Sequence, residues 1–386
     1  MGYLTNRTIN YLNIHGAFLA LLEYAFGLFG PIYFYTLGFP LPEVFGLLVG
    51  LNTARIPLRF LSFPMVRLVG LKGALMVGTA GWALSFPVLA MVKGYDGWLL
   101  LYIIMFGVFN AMYWHCFHTF YSLAGETEHR GKQISVANSL IKAFSALAPL
   151  LSAIFITNNS FKAYFFLSIP LVIVMLLILS RCEDIPVERI KWKEGKKLMF
   201  SLGAKIHLAE AASILPLNFG WLFVMYFYVQ KMVTFGGILT FGIVAQVIYQ
   251  LWLGKVIDRG RGRLVTNAAG FLMIIETISK VFLPLSFLRI LGLEALSGAA
   301  NVHHSIAQPT VMYNTGKSSS DAFWYWLFAE TAFDLGTILG LGSAAVCLYF
   351  GMPLRFTILL ALPGICAVWW LTYRYFGDNH KGLETK

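Results

Sequence analysis

Long apolar runs and short polar breaks alternate along this chain from end to end. Twelve runs, near residues 11–36, 43–65, 72–92, 97–121, 134–157, 161–181, 206–230, 235–254, 264–283, 286–313, 322–350 and 353–376, are long enough to cross a bilayer as helices. The only hydrophilic stretch of any length, Arg181 to Lys205, falls almost at the midpoint. The pattern predicts an all-α membrane protein of twelve transmembrane helices. Residues 1–181 form a first six-helix bundle, 182–205 a linker, and 206–386 a second six-helix bundle. The first run is too long for a signal-peptide core and no small-residue cleavage site follows it, so targeting falls to the first membrane helix.

Composition supports this reading. Of the 386 residues, 58% are hydrophobic and 12% charged, too few charges to cover a soluble protein of this length. The net charge of +11 would suit nucleic acid, but its distribution assigns it to topology. Twelve spans put both termini on one side. Arg67, Lys72, Arg130, Lys132, Lys255, Arg259 and most of the linker's bases lie on that side, whereas Lys93, Lys162, Lys231 and Arg355 lie on the other. Both termini are therefore expected in the cytoplasm, with the chain in a plasma or inner membrane. The four cysteines are scattered, with no metal-finger or disulfide spacing.

The second half repeats the first at a shift of 191–192 residues. Gly107-x-x-Asn110 matches Gly298-x-x-Asn301, Ile14-His15 matches Ile206-His207, and Arg67-x-x-Gly70 matches Arg259-x-x-Gly262. Six spans per half make these parallel repeats about an axis along the membrane normal. The most specific motif is Gly254-Lys-Val-Ile-Asp258-Arg259-Gly-Arg-Gly-Arg263 after span eight. It resembles the cytoplasmic loop motif of the major facilitator superfamily of secondary transporters. The copy after span two keeps the bases Arg67 and Lys72 and lacks the acid. Ala148-Pro149-Leu-Leu-Ser152-Ala153 resembles, more weakly, a motif of family antiporters. The resemblance implies a central cavity lined by spans 1, 4, 7 and 10, a seam between halves formed by spans 2, 5, 8 and 11, and spans 3, 6, 9 and 12 outside.

Ionisable residues are costly in a bilayer, so each one is a functional candidate. Arg55 and Arg59 lie four apart in span two, and Glu330 and Asp334 four apart in span eleven, each pair on one helical face. With those spans adjacent, equal depth predicts Arg59–Glu330 and Arg55–Asp334 bridging the halves, either as a gate or as a static cluster of neutralised charge. Lys142 in span five faces the same seam by analogy, and either meets substrate or snorkels. Glu276 and Lys280, four apart in span nine, are expected to neutralise each other; Arg289 and Glu294 read as interfacial.

Six histidines fall in the four cavity spans: His15, His115, His118, His207, His303 and His304. His15 and His207, near helix starts, read as capping or interfacial. His115 and His118 share a face at a spacing of three with Cys116 between them. Together with His303 they make a set that suits either proton transfer or a transition metal. Glu23, mid-span in helix one, is the leading candidate for coupling to protons. Phosphate-binding loops, catalytic triads and helical zinc-protease motifs do not occur, so the chain is not read as an enzyme or an ATP-driven pump, and no cofactor is expected. The expected function is proton-coupled secondary transport of a small polar solute by alternating access, by a monomer. The alternatives are a transition-metal-ion carrier with His115, Cys116, His118 and His303 converging, a lipid flippase, and a transport-dead receptor.

Overall fold

The structure, a computed structural model, describes residues 6–126, 130–187, 195–257, 262–319 and 321–383, and within them the side chains at 130–132, 135, 251–257, 262, 302–307 and 377–383 are not described. Among the described residues twelve helices follow one another, with the linker between the sixth and the seventh as the long connection. They are α1 (Arg7–Thr36), α2 (41–69), α3 (71–89), α4 (Gly97–Ala124), α5 (130–158), α6 (Phe161–Ser180), α7 (Leu202–Val229), α8 (Met232–Ile257), α9 (Gly262–Phe282), α10 (Phe287–Ser318), α11 (Ala322–Tyr349) and α12 (354–383). Ten runs among the described residues are long and apolar enough to cross a membrane, and one of them, Leu41–Leu89, contains both α2 and α3. Polar residues set many of the starts. Asn6, Asp96, Ser201, Ser286 and Asp321 each accept a hydrogen bond from a first-turn backbone N–H that has no partner inside its helix.

Two interruptions leave no mark in the hydropathy pattern. Leu22–Gly27 is a π-helical turn inside α1, around Glu23. Between Ser145 and Ala148 the helix α5 breaks just before Pro149, whose ring disfavours helical geometry in the residue ahead of it. The turn from α2 to α3 is made by Gly70 at φ +78°. There Asp184 of the linker takes the place of the acid that the first loop motif lacks: its Oδ1 accepts from the Lys72 backbone N–H at 2.9 Å. A β-carbon at Gly70 would collide with the other oxygen of that carboxylate. Lys72 Nζ in turn donates to the carbonyl of Cys182 at 3.0 Å, pinning the start of the linker under the α2–α3 turn.

Within the first half of the chain α1 packs on α5 and α6, and α3 on α4 and α6; within the second half α7 packs on α11 and α12, and α10 on α8 and α9. Contacts between the halves run chiefly through α2 against α11 and α5 against α8. Gly336 and Gly340, one turn apart on α11, face the backbone of α7 at Leu208 and Ala212, and the missing side chains let the two helices approach closely. The outermost side chains, among them Leu151, Leu177, Ile248 and Leu339, are apolar, as a surface facing lipid requires.

Candidate substrate cavity and charge seam

A cavity of about 580 Å³ lies between the halves. α1, α4, α7 and α10 contribute Glu23, Tyr24, Asn110, Trp114, His118, His207, Glu210, Asn218, Gln308 and Tyr313. Its wall also takes Asn52 and Arg55 from α2, Trp82 and Phe86 from α3, and Trp326, Glu330 and Phe333 from α11. The lining is mostly aromatic and aliphatic, with a few amides and charges set into it.

The seam charges meet at the end of the cavity nearer the chain termini. Arg55 Nε lies 3.1 Å from Asp334 Oδ1, and Arg59 Nη1 donates to Glu330 Oε2 at 3.2 Å. The crossed contacts are present too: Arg55 Nη2 to Glu330 Oε2 at 3.5 Å, and Arg59 Nη2 to Asp334 Oδ2. The four groups thus close into a square instead of a ladder. The side chains of Arg59 and Asp334 have no solvent exposure. Two opposed pairs, each group touching both opposite charges, compensate the desolvation that an isolated buried charge would suffer.

Glu330 joins this square to the cavity. Its Oε2 is taken by the two guanidinium groups, and its Oε1 faces His118 Nε2 at 3.4 Å and His207 Nδ1 at 3.7 Å. His118 stacks on Trp326 and Trp114 and its Nδ1 bonds the hydroxyl of Tyr313 at 2.7 Å. His207 reaches on to Glu210 at 3.8 Å, and Glu210 accepts from the Gln308 amide. One connected set of polar groups therefore runs from α2 through α11, α4 and α7 to α10. His207 belongs to the cavity, which corrects its reading as a helix-start residue. Its position in the first turns of α7 reads as a cap from sequence alone, whereas the ring packs against Trp326 and Phe333 of α11 and lines the cavity.

His115 does not line the cavity. Its ring is fully buried between Ser62 Oγ, 2.7 Å from Nδ1, and the carbonyl of Phe323, 2.9 Å from Nε2. A carbonyl only accepts, so Nε2 carries the hydrogen that goes to Phe323, while Nδ1 faces a Ser62 hydroxyl that also lies 2.7 Å from the Arg59 carbonyl. The residue stitches α4 to α2 and to the start of α11. Cys116 is buried in the apolar core. Among the described residues no group of three His, Cys, Asp or Glu side chains is arranged to hold a metal ion, and His115 and Cys116 point away from the cavity, so the transition-metal alternative does not find its ligand set. The side chains of His303 and His304 lie outside the described residues, as do Asp258, Arg259 and the surroundings of Gly254. Arg263 sits over the Tyr373 ring, its guanidinium carbon 5.1 Å from the centroid.

Glu23 lines the cavity from the π-helical turn of α1, and among the described residues its carboxyl makes no hydrogen bond. Lys142 and Arg55 lie within electrostatic reach of it. Lys142 donates to the hydroxyl of Tyr24, the next residue along α1, at 2.8 Å. Glu294, expected at the interface, is buried and accepts from Trp221 Nε1 at 2.6 Å. At the far end of the cavity aromatic rings meet across the halves: Phe29 with Phe235, Tyr35 with Phe223 and Phe227, and Phe45 with Phe223.

The family model described as Major Facilitator Superfamily matches residues 12–323. The chain belongs to this superfamily. Solved structures agree on the fold. FucP, a transporter of the superfamily captured in its outward conformation, superposes with a TM-score of 0.69 at 12% identity, over 96% of this chain and 97% of that one. The human organic anion transporter MFSD10 (TETRAN) gives 0.67 at 15% identity, over 96% and 98%. At such identities the likeness carries the fold alone. No curated protein sequence matches the chain. Membership of the superfamily makes this a non-enzymatic, multi-pass membrane protein that carries a solute by secondary transport.

Proposed function

We propose that the chain is a proton-coupled transporter that works by rocking of two six-helix bundles, residues 1–181 and 206–386, about the cavity, with 182–205 as the link. Both termini are cytoplasmic in this reading, as the loop charges ask. The square of Arg55, Arg59, Glu330 and Asp334 is the gate on that side, and the aromatic contacts of Tyr35, Phe223 and Phe227 close the opposite one. The observation that carries the proposal is the double engagement of Glu330. The same carboxylate that locks the gate faces two cavity imidazoles. A proton or a solute donor arriving at His118 or His207 competes with the guanidinium groups for it, and so biases the gate.

Glu23 is the proposed coupling group, since a cavity carboxyl that makes no hydrogen bond among the described residues can exchange a proton without breaking one there. The solute is small and polar enough to use Asn52, Asn110, Asn218 and Gln308, with a body that the tryptophan and phenylalanine walls can cover. The test is uptake by purified protein in liposomes under an imposed proton gradient, with a panel of small organic solutes and with zinc, copper, iron and manganese ions. Gradient-driven movement of an organic solute that Glu23→Gln uncouples from protons supports the reading. Movement of a metal ion alone, or a Glu23→Gln variant indistinguishable from wild type, rejects it.

A further inference from the structure

A second group of ionisable side chains lies wholly inside the second half, away from the cavity. Glu276 and Lys280 on α9, Glu294 and Ser297 on α10, and Trp221 on α7 are all buried. Lys280 Nζ donates to Glu276 Oε1 at 2.5 Å, and Ser297 Oγ to the same oxygen at 2.7 Å. Trp221 Nε1 donates to Glu294 Oε1, and the ammonium of Lys280 lies 5.2 Å from the centroid of the Trp221 ring. The remaining oxygen of Glu294 rests against Gly242 of α8, where a β-carbon would come within 2.6 Å of it. The other charge close by is Arg355 at the start of α12, spent on the backbone carbonyls of Lys280 and Leu283. α8 brings no charge here, and Arg289 on α10 donates to the carbonyl of Pro284 at the exposed end.

Two facts about this group call for a ligand. Its charge does not balance: two buried carboxylates face one ammonium, and low-dielectric surroundings do not hold a surplus charge. Nor does the fold need it. At the repeat shift of 191–192 the first half has Ser85 or Leu84 for Glu276, Leu89 or Val88 for Lys280, Ile103 or Tyr102 for Glu294, and Phe29 or Gly30 for Trp221. The same place in the first half is filled without a single charge. Lys280 already occupies the position a metal cation would take against Glu276, which leaves the smallest cation.

We propose that this is a proton-binding site, with Glu294 as the group that takes up and releases the proton. When Glu294 is neutral, Glu276 and Lys280 form a closed pair. When it ionises, the carboxylate is held by the Trp221 N–H and draws on Lys280, which pulls α9 and α10 together against α7. Lys280 is two residues from the end of α9, so the site lies near the face opposite the chain termini. Trp221 sits beside Phe219 and Leu222 of the cavity wall, so the protonation state reaches the solute site through α7.

The experiment is infrared difference spectroscopy of the purified protein in lipid, between acid and alkaline pH, and it needs no known solute. The expected result is a protonated-carboxyl band that titrates in wild type and in Glu23→Gln and is lost in Glu294→Gln. Trp221→Phe removes the donor that favours the anion, so its band should persist to higher pH. Carboxyl bands that superimpose in wild type and Glu294→Gln, or a Trp221→Phe midpoint equal to wild type, would overturn the proposal. Failure of Glu23 as the coupling group leaves both readouts untouched, so the two ideas fail separately.

Discussion

Arg59 and Asp334 are cut off from solvent, and each meets both charges on the opposite helix. Removing one member therefore leaves a surplus charge with no water to screen it. Arg59→Leu alone should cost about 3–5 kcal/mol of stability, whereas Arg59→Leu with Glu330→Leu should cost less, because the second change removes the orphaned charge. Thermal unfolding of the purified protein in detergent checks the order of the two variants. A double variant less stable than the single one would mean that the square contributes through packing and not through charge. His118 shows how the same chemistry differs with position. Only three residues from His115, it points into the cavity with one nitrogen toward Glu330, while His115 is consumed by Ser62 and Phe323. A spacing of three puts two rings on one face, but the width of that face spans both the cavity and the seam.

At the scale of the element, the distance between α7 and α11 sets the site. Glu330 and His207 come from these two helices, and their approach depends on Gly336 and Gly340 lying on the α7 backbone. Gly340→Leu should push α11 outward, lengthen the His207–Glu330 contact and weaken the gate. The expected outcome is faster alkylation of a cysteine placed at Asn218, deeper in the cavity than the square, by a reagent applied from the terminus side, with helix content unchanged. Unaltered labelling would mean that α11 is held by α2 and not by α7. The π-helical turn of α1 acts on the same scale, since the extra residue in the turn shifts the helix face and presents Glu23 to the cavity. The break in α5 leaves the N–H of Leu150 without a helical partner, and Thr240 of α8 accepts from it at 3.2 Å. One irregular element is thereby paired to its neighbour across the halves.

For the molecule as a whole, alternating access requires the far end to open when the terminus side closes. Tyr35 and Phe227 face each other across that end, with ring centroids 5.1 Å apart. Cysteines at both positions, in a chain freed of Cys116, Cys182, Cys347 and Cys366, should cross-link and stop transport, with activity restored on reduction. Transport that continues at the wild-type rate after cross-linking would remove the far-end closure from the cycle. The sequence by itself determined the helical class and the number of helices, because a bilayer accepts few backbone solutions and long apolar runs announce them. It also determined the superfamily, through the loop motif and the repeat, and which charges stand in the apolar interior, because a charge there is conspicuous wherever it packs. Only the tertiary structure decided where those charges go. The square closed where a ladder was expected, His207 turned inward, His115 and Cys116 turned away from any metal site, and Asp184 came from the linker to complete the first loop. Each of these depends on how closely the elements approach and which way their side chains turn, as where Gly336 and Gly340 let α11 lie on α7 and Gly70 leaves room for Asp184, and such contacts leave no mark on the hydropathy pattern.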